Sequence, residues 1–166
     1  MKLTTKGRYA VSALADIAAT GGDAPVALSD IALRQGISLS YLEQLFAKLR
    51  RAGLVESVRG TAGGYALTAP AADVRVADIV AAVDEEIRTT ACAAGSTVGC
   101  KGTSARCLTH DLWDELGRQI EVFLNAVTLE DIIERRVLGM AAVNAPLRET
   151  AAKEPARAAS FAGAAE

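Results

Sequence analysis

The sequence predicts a mainly α protein: a three-helix head closed by a small β-hairpin, then a loop and one long helix. Three observations carry this reading. Alanine dominates a chain that is half apolar but only 4% aromatic, a composition that favours helix. Three apolar-periodic segments, each stopped by glycine, fill residues 5–53. Two short β-prone runs then flank a glycine-rich tip at residues 59–64.

Residues 5–19 form the first predicted helix, with Ala10, Leu14, Ile17 and Ala18 on one face and Gly21-Gly22 ending it. A short second helix spans 28–35, with Leu28 and Ile31 inward and Gly36 as its stop. In ISLSYLEQLFAKLRRAG, Leu42, Leu45, Phe46 and Leu49 fall at i, i+3, i+4 and i+7, which makes a buried stripe. Ser40-x-x-Glu43 has the form of a capping box, Ser38 is a second candidate cap, and Gly53 closes the helix. Two short helices joined by a glycine-containing turn describe a helix-turn-helix. LVESV (54–58) and YALT (65–68) add a hairpin whose tip, RGTAGG, carries Arg59. Together these elements predict a winged helix-turn-helix DNA-binding domain over residues 1–72.

The remainder divides in two. Residues 73–140 should hold a fourth helix (74–87), a glycine-rich loop, a long helix near 109–127 and a short last helix capped by Thr128. In the long helix Trp113, Leu116, Ile120, Phe123 and Val127 follow a 3-4-3-4 spacing, a coiled-coil-like seam. That seam suits either packing within one subunit or a partner surface. Helix-turn-helix proteins read paired half-sites, so an isologous homodimer through residues 109–127 is expected. Residues 141–166 are Ala, Arg, Glu and Pro with little pattern and read as a disordered tail.

Charge supports the division. Residues 1–70 carry eight Lys+Arg against five Asp+Glu, a balance of +3, and residues 71–166 carry ten against fifteen, a balance of −5. A basic first half suits a polyanionic partner, double-stranded promoter DNA in this reading. No apolar run is long enough for a membrane span, and the opening residues lack a secretory pattern, so a cytoplasmic location is expected. There is no C-x-x-C, Walker sequence or Ser-His-Asp set, and the chain has one histidine. An enzyme is not expected.

A helix in the major groove reads base edges near its N-terminus. Ser38, Ser40, Tyr41, Glu43 and Gln44 occupy those positions on the third helix. Gln pairs with adenine, Glu accepts from cytosine, and Ser meets several bases. Lys48, Arg50 and Arg51, with Lys6 and Arg8, suit phosphates. Arg59 and the adjoining Gly60 place a cation on the wing, suited to a narrow minor groove. An ordinary solvated face is the alternative for any one of these residues.

All three cysteines, Cys92, Cys100 and Cys107, and the only histidine, His110, lie within residues 91–113. A reducing cytoplasm disfavours a disulfide framework. Three Cys and one His could complete a structural zinc site. Zinc sites favour tight pairs, however, whereas seven and six residues separate these cysteines and only Cys107-x-x-His110 is close. Wide spacing in a glycine-rich loop suits a larger centre such as a two-iron cluster, and free thiols beside an incidental histidine are the remaining alternative.

Four segments resemble the Rrf2 family of bacterial regulators, nearest to its iron–sulfur cluster regulators: KLTTKGRYAVSALADIA, GISLSYLEQLFAKLRRAGLVESVRG, AGGYAL and CLTH. The resemblance runs from residue 1 to about 138. It implies a homodimeric winged-helix transcription factor that binds a [2Fe-2S] cluster and controls cluster-biogenesis genes. By motif it implies Cys92, Cys100, Cys107 and His110 as cluster ligands. It implies Ser38, Ser40, Tyr41, Glu43, Gln44 and Arg59 as DNA contacts, with Glu43 discriminating between operator types. Other members respond to nitric oxide or cysteine status. The cysteine spacing here is wider than is usual in the family.

Overall fold

The structure is a computed structural model and describes residues 5–22, 24–60, 63–84, 89 and 107–139. Cys92, Cys100 and the tail at 141–166 lie outside these residues.

Helix α1 (Thr5–Thr20) buries Ala10, Ala13, Leu14 and Ile17, and Gly21 N–H closes its end on the Ile17 carbonyl at 2.7 Å. Helix α2 (Leu28–Gln35) stops at Gly36, whose φ of 64° is left-handed, a conformation glycine adopts without steric cost. Ile37, 6% exposed, pins the turn into the core, and α3 (Leu39–Arg51) follows with Leu42, Leu45, Phe46 and Leu49 buried. The predicted stripe is therefore the packed face. The predicted Ser40–Glu43 capping box is absent. The helix already begins at Leu39, so Ser40 lies inside its first turn, while Ser38 takes the cap position without a side-chain cap bond. Burial of Ile37 sets this start two residues earlier than the pattern suggested.

Strands β1 (Val55–Val58) and β2 (Gly64–Leu67) pair antiparallel, with Val55 opposite Leu67 and Val58 opposite Gly64. The chain before α2 adds a bridge the sequence did not signal. Val26 and Tyr65 exchange backbone hydrogen bonds of 2.9 and 2.8 Å. Gly64 permits this approach, since a Cβ there would run into the Val26 carbonyl. The wing is thereby tied to the helix-turn-helix on its inner side.

Helix α4 (Val76–Ala82) is shorter than the predicted 74–87. Asp84 follows with φ 56°, which takes the backbone out of helical register. Helix α5 (His110–Ala126) and α6 (Leu129–Ile133) complete the described chain. Thr128 caps α6 as expected, in a full capping box with Asp131. Val76 N–H bonds the Val127 carbonyl at 3.0 Å, and Leu129 N–H bonds the Val74 carbonyl at 2.9 Å. One core joins both halves: Ile79, Val83 and Leu129 share it with Leu14, Phe46 and Val55. A smaller cluster of Val76, Val80 and Val127 seats the end of α5, with Phe123 against it.

The seam on α5 is split. Val127 is buried and Ile120 and Phe123 are half-buried, but Trp113 is 45% and Leu116 36% exposed, with Leu112 beside them at 63%.

A charged clamp fixes α1 against α2. Arg34 Nη2 donates to Asp16 Oδ2 at 2.6 Å and Gln35 Nε2 to Asp16 Oδ1 at 2.9 Å. Burial pushes the Asp16 carboxyl up, but hydrogen bonds from Arg34 and Gln35, with the guanidinium charge, outweigh it and hold the pKa below the ordinary value. A depressed carboxyl stabilises the fold above its unfolded pKa of about 3.9, and this is lost as pH falls through the native pKa. Arg34→Ala removes the cation and two of the three influences that hold the carboxyl down, so Asp16 should lose its depression. The variant's stability deficit should therefore be largest at neutral pH and shrink on acidification. Urea unfolding of both proteins at about pH 7 and about pH 3, below the unfolded carboxyl pKa, checks this. An equal deficit at both pH values would contradict it.

Candidate nucleic-acid interface and cysteine segment

The outer face of α3 presents the predicted reading residues. Ser38, Ser40, Glu43 and Gln44 are exposed, on the side opposite the Leu42–Leu45–Phe46–Leu49 stripe. Tyr41 differs: it is half-buried and packs edge-on against Tyr9, with centroids 5.9 Å apart at 83°. Its ring thus couples the start of α3 to α1. Arg59 and Gly60 are exposed at the wing, where Gly60 has φ 128°. Lys6, Arg8, Arg50 and Arg51 are exposed cations.

Lys48 has a partner the sequence did not reveal. Its Nζ donates to Asp84 Oδ2 at 2.7 Å. The Lys48 hydrogen bond and charge hold the Asp84 carboxyl below its ordinary range, and the charges of Lys6 and Arg51 add to this. Sequence periodicity assigned Asp84 to the interior of a helix and held no signal for a contact across 36 residues.

Cys107 and His110 form the turn that opens α5. His110 N–H bonds the Cys107 carbonyl at 3.0 Å. His110 is 8% exposed and Cys107 half-buried, with its Sγ 3.6 Å from Thr109 Oγ1. Two soft donors thus stand one turn apart, the donor chemistry a thiolate-loving metal or cluster requires. Among the described residues no group of three His, Cys, Asp or Glu side chains gathers as a metal site, and Cys92 and Cys100 lie outside them. Thr89 lies against α5 at Gly117, where an added Cβ would sit 2.6 Å from the Thr89 Oγ1. Among the described residues no helix is long and apolar enough to cross a membrane.

Comparison with known proteins agrees with this architecture. Residues 3–135 match the Rrf2 family, described as an iron-dependent transcriptional regulator. The HTH-type transcriptional regulator IscR of Vibrio atlanticus is 54% identical over 134 residues, covering 81% of this chain and 76% of the relative. IscR of Yersinia pseudotuberculosis is 51% identical over 136 residues, covering 82% and 81%. Among solved structures, T. potens IscR superposes with a TM-score of 0.66 at 38% identity, covering 82% of this chain and 88% of the other. CymR, the global cysteine regulator of B. subtilis, gives 0.68 at 30% identity over 81% and 98%. These relatives are named as regulators of transcription, not as enzymes. A helix-turn-helix with a two-stranded wing, matched over most of its length to IscR and CymR, makes this chain a member of the Rrf2 family of transcriptional regulators.

Proposed function

We propose that the chain is a homodimeric repressor or dual regulator whose hold on promoter DNA is set by a [2Fe-2S] cluster, and that it controls genes of cluster biogenesis. The observation that carries this reading is the Cys107–His110 turn at the mouth of α5, in a chain 54% identical over 134 residues to IscR of Vibrio atlanticus. Cys92, Cys100, Cys107 and His110 are the proposed ligands. When bound, the cluster supplies a centre whose potential and retention respond to its ligands, and a histidine ligand raises that potential.

The chain's own residues do the rest. His110 and Cys107 fix the entry of α5, and α5 packs on α4 through Phe123, Leu124 and Val127. Ligation at this turn would orient α5, and with it a partner seated on the uncovered Leu112, Trp113 and Leu116. The orientation of two copies sets the separation of their α3 helices and hence the half-site spacing they fit. On the duplex, Ser38, Ser40, Glu43 and Gln44 meet base edges in the major groove, and Tyr41 steadies the helix start. Arg59 and Gly60 reach the minor groove, and Lys6, Arg8, Lys48, Arg50 and Arg51 meet phosphates.

Anaerobic iron, sulfide and zinc analysis with a visible spectrum tests the reading. Roughly two irons and two sulfides per chain are expected. Colourless protein with stoichiometric zinc would replace the sensor with a structural metal site. Gln44→Ala or Arg59→Ala should weaken specific binding by about 1–3 kcal/mol if either side chain makes a good base contact. Wild-type affinity for the operator across a salt series would remove that residue from the reading set.

A further inference from the structure

We propose that Asp84 is an internal competitor for DNA phosphate: its carboxylate masks Lys48 on α3 and holds down the affinity of the chain for any duplex. The proposal rests on the DNA-binding reading above and adds to it a residue that sets its strength.

The geometry is asymmetric. Lys48 Nζ lies 2.7 Å from Asp84 Oδ2, and the lysine side chain is 31% exposed against 78% for the aspartate. The aspartate is thus the more exposed partner, and its carboxylate takes up one of the ammonium's donors. The same carboxylate feels the charges of Lys6 and Arg51. One anion thus sits among three of the cations assigned to the DNA backbone. A phosphate and a carboxylate compete for the charge of one ammonium, so a duplex gains less from Lys48 while Asp84 is paired with it. An exposed ion pair contributes little to stability, so breaking it costs the fold little.

Asp84 is also suited to its place in the chain. It follows the end of α4, and its backbone turns out of the helix at φ 56°, a conformation Asp and Asn tolerate better than most residues. Val76, at the start of α4, is bonded to Val127 at the end of α5, and Thr89 lies against Gly117 of α5. Asp84 stands between these two anchors, on the path to the cysteine segment.

Asp84→Asn tests the mask, because it removes the charge and retains both the shape and the left-handed tolerance. Binding of the full-length, anaerobically purified protein to a duplex of arbitrary sequence is measured from low to moderate salt. The variant should bind several-fold more tightly at low salt. Its plot of log affinity against log salt should be steeper by about 0.9, the signature of one further phosphate contact. In a Lys48→Ala background most of this gain should vanish. Unchanged affinity and slope would overturn the proposal. Weaker binding would overturn it too, by making Asp84 a support for Lys48, and so would a gain undiminished by Lys48→Ala. Wild-type protein that binds no duplex even at low salt would sink the DNA-binding reading itself. Duplex binding indifferent to Asp84 would sink the mask alone.

Discussion

Cys107→Ala protein should emerge from anaerobic purification without visible charge-transfer absorption, its iron and sulfide falling from about two per chain to near zero. The loss should be this complete because Cys107 and His110 hold one short turn, and removing the thiolate leaves a single nitrogen donor there. The fold should survive. Cys107 is half-buried and belongs to neither apolar cluster. Its backbone carbonyl, which takes the His110 N–H, is retained in alanine. Far-UV circular dichroism and the oligomeric state should therefore match the wild type while the colour disappears. Cys92→Ala should behave alike. Full colour in both variants would defeat the ligand assignment. A colourless wild type would instead defeat the cluster itself, and metal analysis separates the two outcomes.

The head of the molecule was legible because helical period and burial say the same thing there. Leu42, Leu45, Phe46 and Leu49 predict a face, and that face is packed. Gly36 and Gly53 predict stops, and both take positive φ. The capping box failed for a local reason: two serines two residues apart both precede a helical pattern, and only the burial of Ile37 decides between them. Failures of another kind were long-range. The Lys48–Asp84 pair, the Val26–Tyr65 bridge and the Asp16–Arg34 clamp each join residues far apart in sequence. Periodicity cannot register such contacts. The seam on α5 shows a middle case. Its spacing marked Trp113 through Val127 as one apolar face, but spacing alone cannot tell which end meets α4 and which stays uncovered.

Phe46→Ala should destabilise the fold by about 3–5 kcal/mol, the largest loss expected of any single side chain in the head. Phe46 is fully buried in the core cluster. Its ring meets Tyr65 of β2 with centroids 4.8 Å apart at 66°, an edge-to-face pair worth about 0.5–1.5 kcal/mol beyond burial. Against a total stability of about 5–15 kcal/mol, that loss is a large fraction of what holds the fold. Phe46→Leu keeps most of the apolar volume and should cost under about 2 kcal/mol, leaving a folded protein. That second variant isolates what the ring does for function. Phe46 lies on the inner side of the helix that carries Glu43 and Gln44, and Tyr65 lies on the wing that carries Arg59. The ring pair therefore fixes one reading element against the other. With leucine, cations on each element still reach phosphates separately, but their joint register on one site loosens. Specific affinity should thus fall while binding to arbitrary duplex, and its salt slope, stay near the wild type. Urea unfolding reads the first effect and paired binding measurements the second. If Phe46→Leu lowered both affinities by the same factor, the ring would be a core side chain and nothing more.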